Sequence, residues 1–422
     1  MDALIISGPC ALKGQVRVSG SKNSALPMLF SSILLNEPVK FHNVPRLWDI
    51  ETTLQLLNSM GTESSWDKVA GTVEIFPRIH QPLAGYEFVK KMRAGILALG
   101  PLVARSGHAR VSLPGGCAIG ARPVNFHIEA LRAMGVQVEM DQGYIVAKAP
   151  NGIQGAEITF PQVTVTGTEN ILMAAALGRG TTVIRNAAKE PEVIALGNTL
   201  RGWGAKIEGL GTDVIVIEEA PLRSPAESTE IPFDRIEAGT WIAASAITRS
   251  PLTIEGAPLA DMTAVLKVFT EMGVALSPSD DGKTLAVRPE RDLKPVEIET
   301  RPHPEFPTDM QAQIMAVLCS VKGKSTIRET IFENRFMHVA ELQRLGAQIE
   351  IQGNRAVIEG GRALNAAPVM ATDLRASASL VLAALIAEGK TQISRIYHLD
   401  RGYQKLDEKL TRLGVTVERV QE

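Results

Sequence analysis

Cys117 stands in Leu113-Pro114-Gly115-Gly116-Cys117-Ala118-Ile119-Gly120-Ala121-Arg122-Pro123, a stretch with three glycines, two prolines, one thiol and one guanidinium. Such a composition settles into neither helix nor strand, and it predicts an exposed loop whose glycines let backbone approach a ligand. Backbone amides beside the sulfur, and Arg122 five positions on, could stabilise a thiolate or let the thiol exchange a proton near neutral pH. A flexible turn with a spectator cysteine fits the same residues.

Cations form the second group. Lys22 in Ser21-Lys22-Asn23-Ser24, Arg93 in Lys90-Lys91-Met92-Arg93 and Arg375 in Thr372-Asp373-Leu374-Arg375 each stand where a strand turns into an apolar run. Thr166-Gly167-Thr168-Glu169-Asn170, Arg235-Ile236-Glu237 and Thr308-Asp309 hold the corresponding place elsewhere. A helix starting there offers free amides and partial positive charge to an anion. Ser21, Thr308 and Asp373 are also good N-caps, worth about 1 kcal/mol each without any ligand. Capping does not explain Lys22, Arg93 and Arg375, because a cation opposes the helix dipole at that end. Arg395-Ile396-Tyr397-His398-Leu399-Asp400-Arg401-Gly402-Tyr403 follows a strand, and its arginines could clamp a carboxylate or decorate a surface turn.

The elements that must position these residues repeat. Gly61, Gly135, Gly204, Gly273, Gly346 and Gly414 each close a helical run and open an alternating strand, at intervals of 68 to 74 residues. Each glycine fits a left-handed helix C-cap. Upstream in each unit lies a helix too apolar to face solvent: Ala25 to Leu35, Ala94 to Ala104, Asn170 to Leu177, Gly239 to Ile247, Met310 to Cys319 and Ala376 to Ala387. The unit reads as β-α-β-α-β-β, and six units divide into two domains of three: 22–230, and 1–21 with 231–422. Pro221 to Pro232 reads as the crossing between halves, and the cleft between the two lobes is the expected working surface.

At 422 residues, with 45% hydrophobic residues and a net charge of −2, the chain has no basic surplus for a nucleic-acid backbone. Three scattered cysteines without a Cys-x-x-Cys and seven scattered histidines without a paired spacing suggest neither a disulfide framework nor a metal site. The N-terminus lacks a signal-peptide pattern, and no apolar run reaches the roughly 18 residues that span a bilayer. A cytoplasmic protein is expected. Walker loop, dinucleotide fingerprint and Gly-x-Ser-x-Gly elbow are all missing.

Long motifs carry a resemblance. Ser19-Gly20-Ser21-Lys22-Asn23, the Leu113 to Val124 stretch, Asn186-Ala187-Ala188-Lys189-Glu190-Pro191-Glu192, Phe306-Pro307-Thr308-Asp309-Met310-Gln311-Ala312-Gln313, Phe332-Glu333-Asn334-Arg335-Phe336, Asp373-Leu374-Arg375-Ala376 and Asp400-Arg401-Gly402-Tyr403 are similar to the UDP-N-acetylglucosamine enolpyruvyl transferase family along essentially the whole chain. The resemblance implies an inside-out α/β barrel of two domains with the active site in the cleft between them. It also implies transfer of enolpyruvyl from phosphoenolpyruvate to the 3′-hydroxyl of UDP-N-acetylglucosamine with release of phosphate, through a tetrahedral intermediate. That reaction is the first committed step of peptidoglycan synthesis, and it needs no metal, organic cofactor or obligate protein partner.

By the same resemblance Cys117 is the lid thiol and proton donor, and Asp309 takes the proton of the sugar hydroxyl. Lys22, Arg122 and Arg401 hold the phosphate and carboxylate of phosphoenolpyruvate. Asn23, Arg93, Arg122, Pro123, Val124, Asn125, Phe126, Asp309 and Ile331 match contacts to the nucleotide sugar, and Asp373 and Arg375 match supporting residues. Asn125 stands where the family often has Asp, and Leu97 where some members have Trp. Two alternatives are a sister 5-enolpyruvylshikimate-3-phosphate synthase, whose lid lacks the cysteine, and a non-catalytic paralogue, against which Lys22, Cys117, Asp309 and Arg401 all speak.

Overall fold

The computed structural model describes residues 2–114 and 124–422. They form six four-stranded sheets, and every sheet has one pattern. An edge strand runs parallel to the second, which pairs antiparallel with the third, which pairs antiparallel with the fourth. In the sheet of the second repeat, Leu83–Ala84 lies beside His108–Ser112, then Tyr144–Lys148, then Gln137–Asp141. Its last two strands form a hairpin turning at Asp141-Gln142-Gly143-Tyr144, where Gln142 and Gly143 both have positive φ, the conformation a tight hairpin turn requires.

Two compact units contain three sheets each: residues 20–114 with 124–232, and residues 2–19 with 233–422. Each has its own apolar core. Strands such as Val39–His42 alternate buried and exposed residues, because one sheet face covers a core while the other meets water. The six capping glycines have φ between 83° and 106°, which a side chain would strain.

The repeats are closed by strands distant in sequence. Gln15–Arg17 is the edge strand of the fourth repeat, paired with Leu252–Glu255, while Thr229–Glu230 fills that place beside Val39–His42 in the first. The segment Pro221 to Pro232 therefore supplies a strand as well as a crossing. The junctions fall at 19/20 and 232/233. Ser21 N–H donates to Pro232 C=O in one unit, and Asp234 N–H donates to Ser19 C=O in the other. In the sixth sheet Asp2–Gly8 pairs with Val417–Gln421, so the two chain ends close one ladder.

The buried helices are Lys22–Ser31, Leu99–Ser106 and Val165–Ala175 in one unit, and Arg235–Thr248, Gln311–Cys319 and Leu374–Ala384 in the other. One expected helix is split: Arg93–Ala98 is a 3-10 stretch before Leu99–Ser106. Pro101 explains the break, since in a continuous helix its ring would meet the carbonyl four residues back, whereas a first-turn proline is tolerated. Among the described residues, no helix is long and apolar enough to cross a membrane, and no group of three His, Cys, Asp or Glu could hold a metal ion.

Candidate active site

In the unit holding the C-terminal half, the site is built outward from Glu329, buried just past the strand Gly323–Arg328. One carboxylate oxygen accepts from Thr300 Oγ1 at 2.9 Å and from the amides of Ile331 at 2.8 Å and Phe332 at 3.2 Å. The other accepts from Thr308 Oγ1 at 2.8 Å. Glu329 thus fixes both the Ile331 loop and the short turn Thr308–Met310 that carries Asp309. Thr308, expected as an N-cap, spends its hydroxyl on this carboxylate instead.

Asp309 sits between two guanidiniums. Arg335 Nη2 donates to Oδ1 at 2.9 Å, and Arg375 Nη2 donates to Oδ2 at 2.8 Å. The arginine side chains are 4% exposed and the aspartate 26%, so the carboxylate is the member of this group that a ligand can reach. Each oxygen is oriented by one charge-assisted hydrogen bond. Burial alone would depress the Arg375 guanidinium, but Asp309, with Tyr403 and Asp234, more than offsets it and raises it above the arginine range.

Asp373 is the N-cap of Leu374–Ala384, its Oδ1 accepting from the amides of Arg375 at 2.8 Å and Ala376 at 3.0 Å. The cap aims that helix start, and hence Arg375. His338 is buried nearby; burial pushes it down to about 4, with Asp373 opposing the shift and Arg335 adding to it. Arg401 is half-buried at the end of the short helix Tyr397–Asp400, and its charge depresses His398 after burial does. Its neighbour Asp400 pairs with Arg419 through two bonds of 2.9 Å.

In the other unit, Ser21 Oγ accepts from Ser24 N–H at 3.3 Å and caps the helix that begins at Lys22. Lys22 Nζ lies 3.6 Å from Asp49 Oδ2, both side chains nearly buried. Asn23 is half-buried on the next position. Arg93 begins its 3-10 stretch and, after burial, is what pushes His127 down to about 4. The Asn170 amide fixes the tautomer: its Oδ1 accepts from Gly100 N–H at 2.6 Å, so its Nδ2 donates to Ile96 C=O at 3.0 Å and to His127 Nδ1 at 2.9 Å. Nδ1 is therefore an acceptor and the ring is neutral.

Thr166 to Asn170, expected at a turn, lie inside Val165–Ala175, and Thr164 is the cap, accepting from Gly167 N–H at 3.2 Å. Glu169 on that helix is buried, and burial, then Glu192 and Glu190, push its carboxyl well up. Val124 and Phe126 pack on the core, and Asn125 is exposed at the start of Asn125–Ala133. Cys117, Arg122 and Pro123 lie outside the described residues. Of the other thiols, burial pushes Cys10 up to about 11 and Cys319 up to about 12, so neither is a ready nucleophile.

The structure thus groups Asp309 with Arg375, which Asp373 holds in place, and gives Lys22 a carboxylate anchor. Sequence reasoning assigned no role to Arg335, Glu329, Asp49 or Tyr403. Arg335 was signalled by its motif, but nothing in the spacing of Asp49 or Glu329 points to their partners.

Residues 6–410 match the family described as EPSP synthase (3-phosphoshikimate 1-carboxyvinyltransferase). The chain is similar to the UDP-N-acetylglucosamine 1-carboxyvinyltransferase of Hydrogenovibrio crunogenus, 52% identical across 99% of this chain and 100% of the relative. It is equally similar to the protein of the same name from Oleidesulfovibrio alaskensis, 52% identical across the full length of both. In structure it is similar to the enolpyruvyl transferase NikO from Streptomyces tendae, with a TM-score of 0.88 at 24% identity over 100% of this chain and 99% of that one. It also resembles an EPSP synthase from Acinetobacter baumannii, with a TM-score of 0.78 at 18% identity over the whole of both chains. Repeated sheets, buried helix starts armed with charge and full-length likeness agree: the chain belongs to the EPSP synthase family of 1-carboxyvinyltransferases.

Proposed function

We propose that this chain transfers the enolpyruvyl group of phosphoenolpyruvate to the 3′-hydroxyl of UDP-N-acetylglucosamine, releasing phosphate, as the first committed step of peptidoglycan synthesis in the cytoplasm. The observation that carries the reading is 52% identity over essentially the full length to relatives bearing that activity in their name. An EPSP synthase acting on shikimate 3-phosphate is the second reading, supported by the family description, but its solved representative shares 18% identity.

Phosphoenolpyruvate brings a carboxylate and a phosphate, so it needs cations, while the sugar hydroxyl is a weak nucleophile and needs a base. Lys22, Arg122 and Arg401 are assigned to the first need, as cations that stabilise the charge of the anion. Asp309 meets the second: its oxygens are oriented by Arg335 and Arg375, and its side chain is accessible. Cys117 gives a proton to the methylene carbon, which makes the neighbouring carbon electrophilic towards the sugar oxygen as Asp309 takes the hydroxyl proton. Loss of a methyl proton and of phosphate from the tetrahedral intermediate restores the double bond. By the family likeness, Asn23, Arg93, Arg122, Pro123, Val124, Asn125, Phe126 and Ile331 are assigned to the nucleotide sugar, and Asp373 and Arg375 to support of the site.

Inorganic phosphate is measured after mixing the protein and phosphoenolpyruvate with either acceptor. Release with UDP-N-acetylglucosamine and none with shikimate 3-phosphate is expected; the reverse overturns the reading. Replacing Cys117 by alanine should stop release, and fosfomycin should alkylate Cys117, as read by mass spectrometry. An undiminished rate in the alanine variant removes the thiol from the reaction.

A further inference from the structure

Tyr403 is 1% exposed, and its phenolic oxygen meets one side chain from each of the three buried helices of its unit. Thr240 Oγ1 on Arg235–Thr248 is 3.0 Å away, Gln313 Nε2 on Gln311–Cys319 is 3.2 Å away, and Arg375 Nη1 on Leu374–Ala384 is 3.4 Å away. With Gln313 Nε2 facing the hub, the proton positions follow from its partners. Thr240 donates its own proton to Ile236 C=O at 2.8 Å and also accepts from Gln313 Nε2 at 3.3 Å. Gln313 and Arg375 can only donate through these nitrogens. The phenol therefore donates to Thr240 and accepts from Gln313 and Arg375, using its single proton and both lone pairs. Burial raises the phenol above its ordinary value, which keeps that proton in place.

Arg375 is thereby held at both ends of its guanidinium, Nη1 on the phenol and Nη2 on Asp309 Oδ2 at 2.8 Å. We infer that Tyr403 is a positioning residue of the transfer reaction: by tying three helix starts to one oxygen it sets Arg375, and through Arg375 it sets the carboxylate that deprotonates the acceptor. The inference rests on the role given above to Asp309. A buried oxygen shared by three helices restrains all of them, and the precision of a base depends on such support.

Tyr403→Phe keeps the ring and removes the oxygen. The turnover number per folded site is expected to fall about tenfold while the KM for phosphoenolpyruvate stays within about twofold, since positioning a base affects the transition state. Because Arg375 transmits the effect, Tyr403→Phe added to Arg375→Lys should cost nothing further. A tyrosine that only stabilises the fold would lower the melting midpoint and leave turnover per folded site unchanged. That result overturns the inference, as do effects that multiply in the double variant. Thr240→Val, which removes the phenol's acceptor and leaves the tyrosine in place, gives an independent arm. It should lower turnover about threefold, and parental turnover in this variant also overturns the inference. Asp309→Asn separates the two claims. If it retains parental turnover, the base assignment fails and the inference with it; if it is inactive while Tyr403→Phe is unaffected, only the tyrosine inference fails.

Discussion

The two units share one backbone plan and tie their buried helices together with different chemistry. Around the helices of the C-terminal half, a phenol gathers a threonine, a glutamine and an arginine, and the arginine hands on to a carboxylate flanked by a second guanidinium. Around those of the other unit, the Asn170 amide joins a glycine N–H, a backbone carbonyl and a neutral histidine, while Lys22 leans on Asp49. A repeat fixes where helix starts fall. It does not fix what stands on them, so one scaffold presents a carboxylate flanked by guanidiniums in one unit and a lysine beside a carboxylate in the other.

The largest expected effect tests the acceptor end. Asp309→Asn keeps shape and removes the proposed base, and turnover should fall about 10²- to 10⁴-fold, the range typical of a general base. Stability should fall as well, because two nearly buried guanidiniums lose their anion. Steady-state kinetics and a melting curve read both, and parental turnover would erase the contrast between the units.

A second test asks whether the units respond alike to acid. His127 in one unit and His338 in the other are each held down to about 4 by burial, against about 6.5 in an unfolded chain. Below about pH 6.5 the unfolded chain takes up protons that the folded one refuses, so stability falls as pH drops towards 4 and then levels off. Each histidine contributes up to about 3 kcal/mol to that loss. His127→Gln and His338→Gln should each flatten the dependence of the melting midpoint on pH between 6.5 and 4. A parental slope in either variant would show that its histidine is not the titrating group.

The smallest effects belong to the capping glycines. A Cβ at Gly414 meets no atom within 4 Å, so Gly414→Ala carries only the strain of φ +92°, about 1 kcal/mol. At Gly204 the same atom would lie 2.8 Å from Pro221 C=O, and Gly204→Ala should cost more. Equal losses by denaturant titration would show that this contact yields without cost.

Much of this plan is legible in the sequence because it is local. The six glycines, the apolar helices and the hairpins report themselves through spacing, and Lys22 and Arg375 stood out as charges at helix starts where capping offers no reason for them. What was not legible is long-range pairing. Nothing around Thr229 says that it closes the sheet of Val39–His42, because a two-residue edge strand has no periodicity to read. Nor does Tyr403 announce a contact with Thr240, which lies 163 positions away. The turn at Thr308 misled for the same reason, since a hydroxyl that can cap a helix can equally serve a buried carboxylate from another strand.

The division of labour between the units is tested most directly by separating KM from turnover in Lys22→Ala and Asp309→Asn, assayed side by side by phosphate release under saturating UDP-N-acetylglucosamine. The account predicts that losing the lysine raises the KM for phosphoenolpyruvate by about tenfold or more, whereas losing the carboxylate lowers turnover and leaves that KM near its parental value. An exchange of these signatures, with the aspartate variant failing to hold phosphoenolpyruvate and the lysine variant holding it normally, would contradict it.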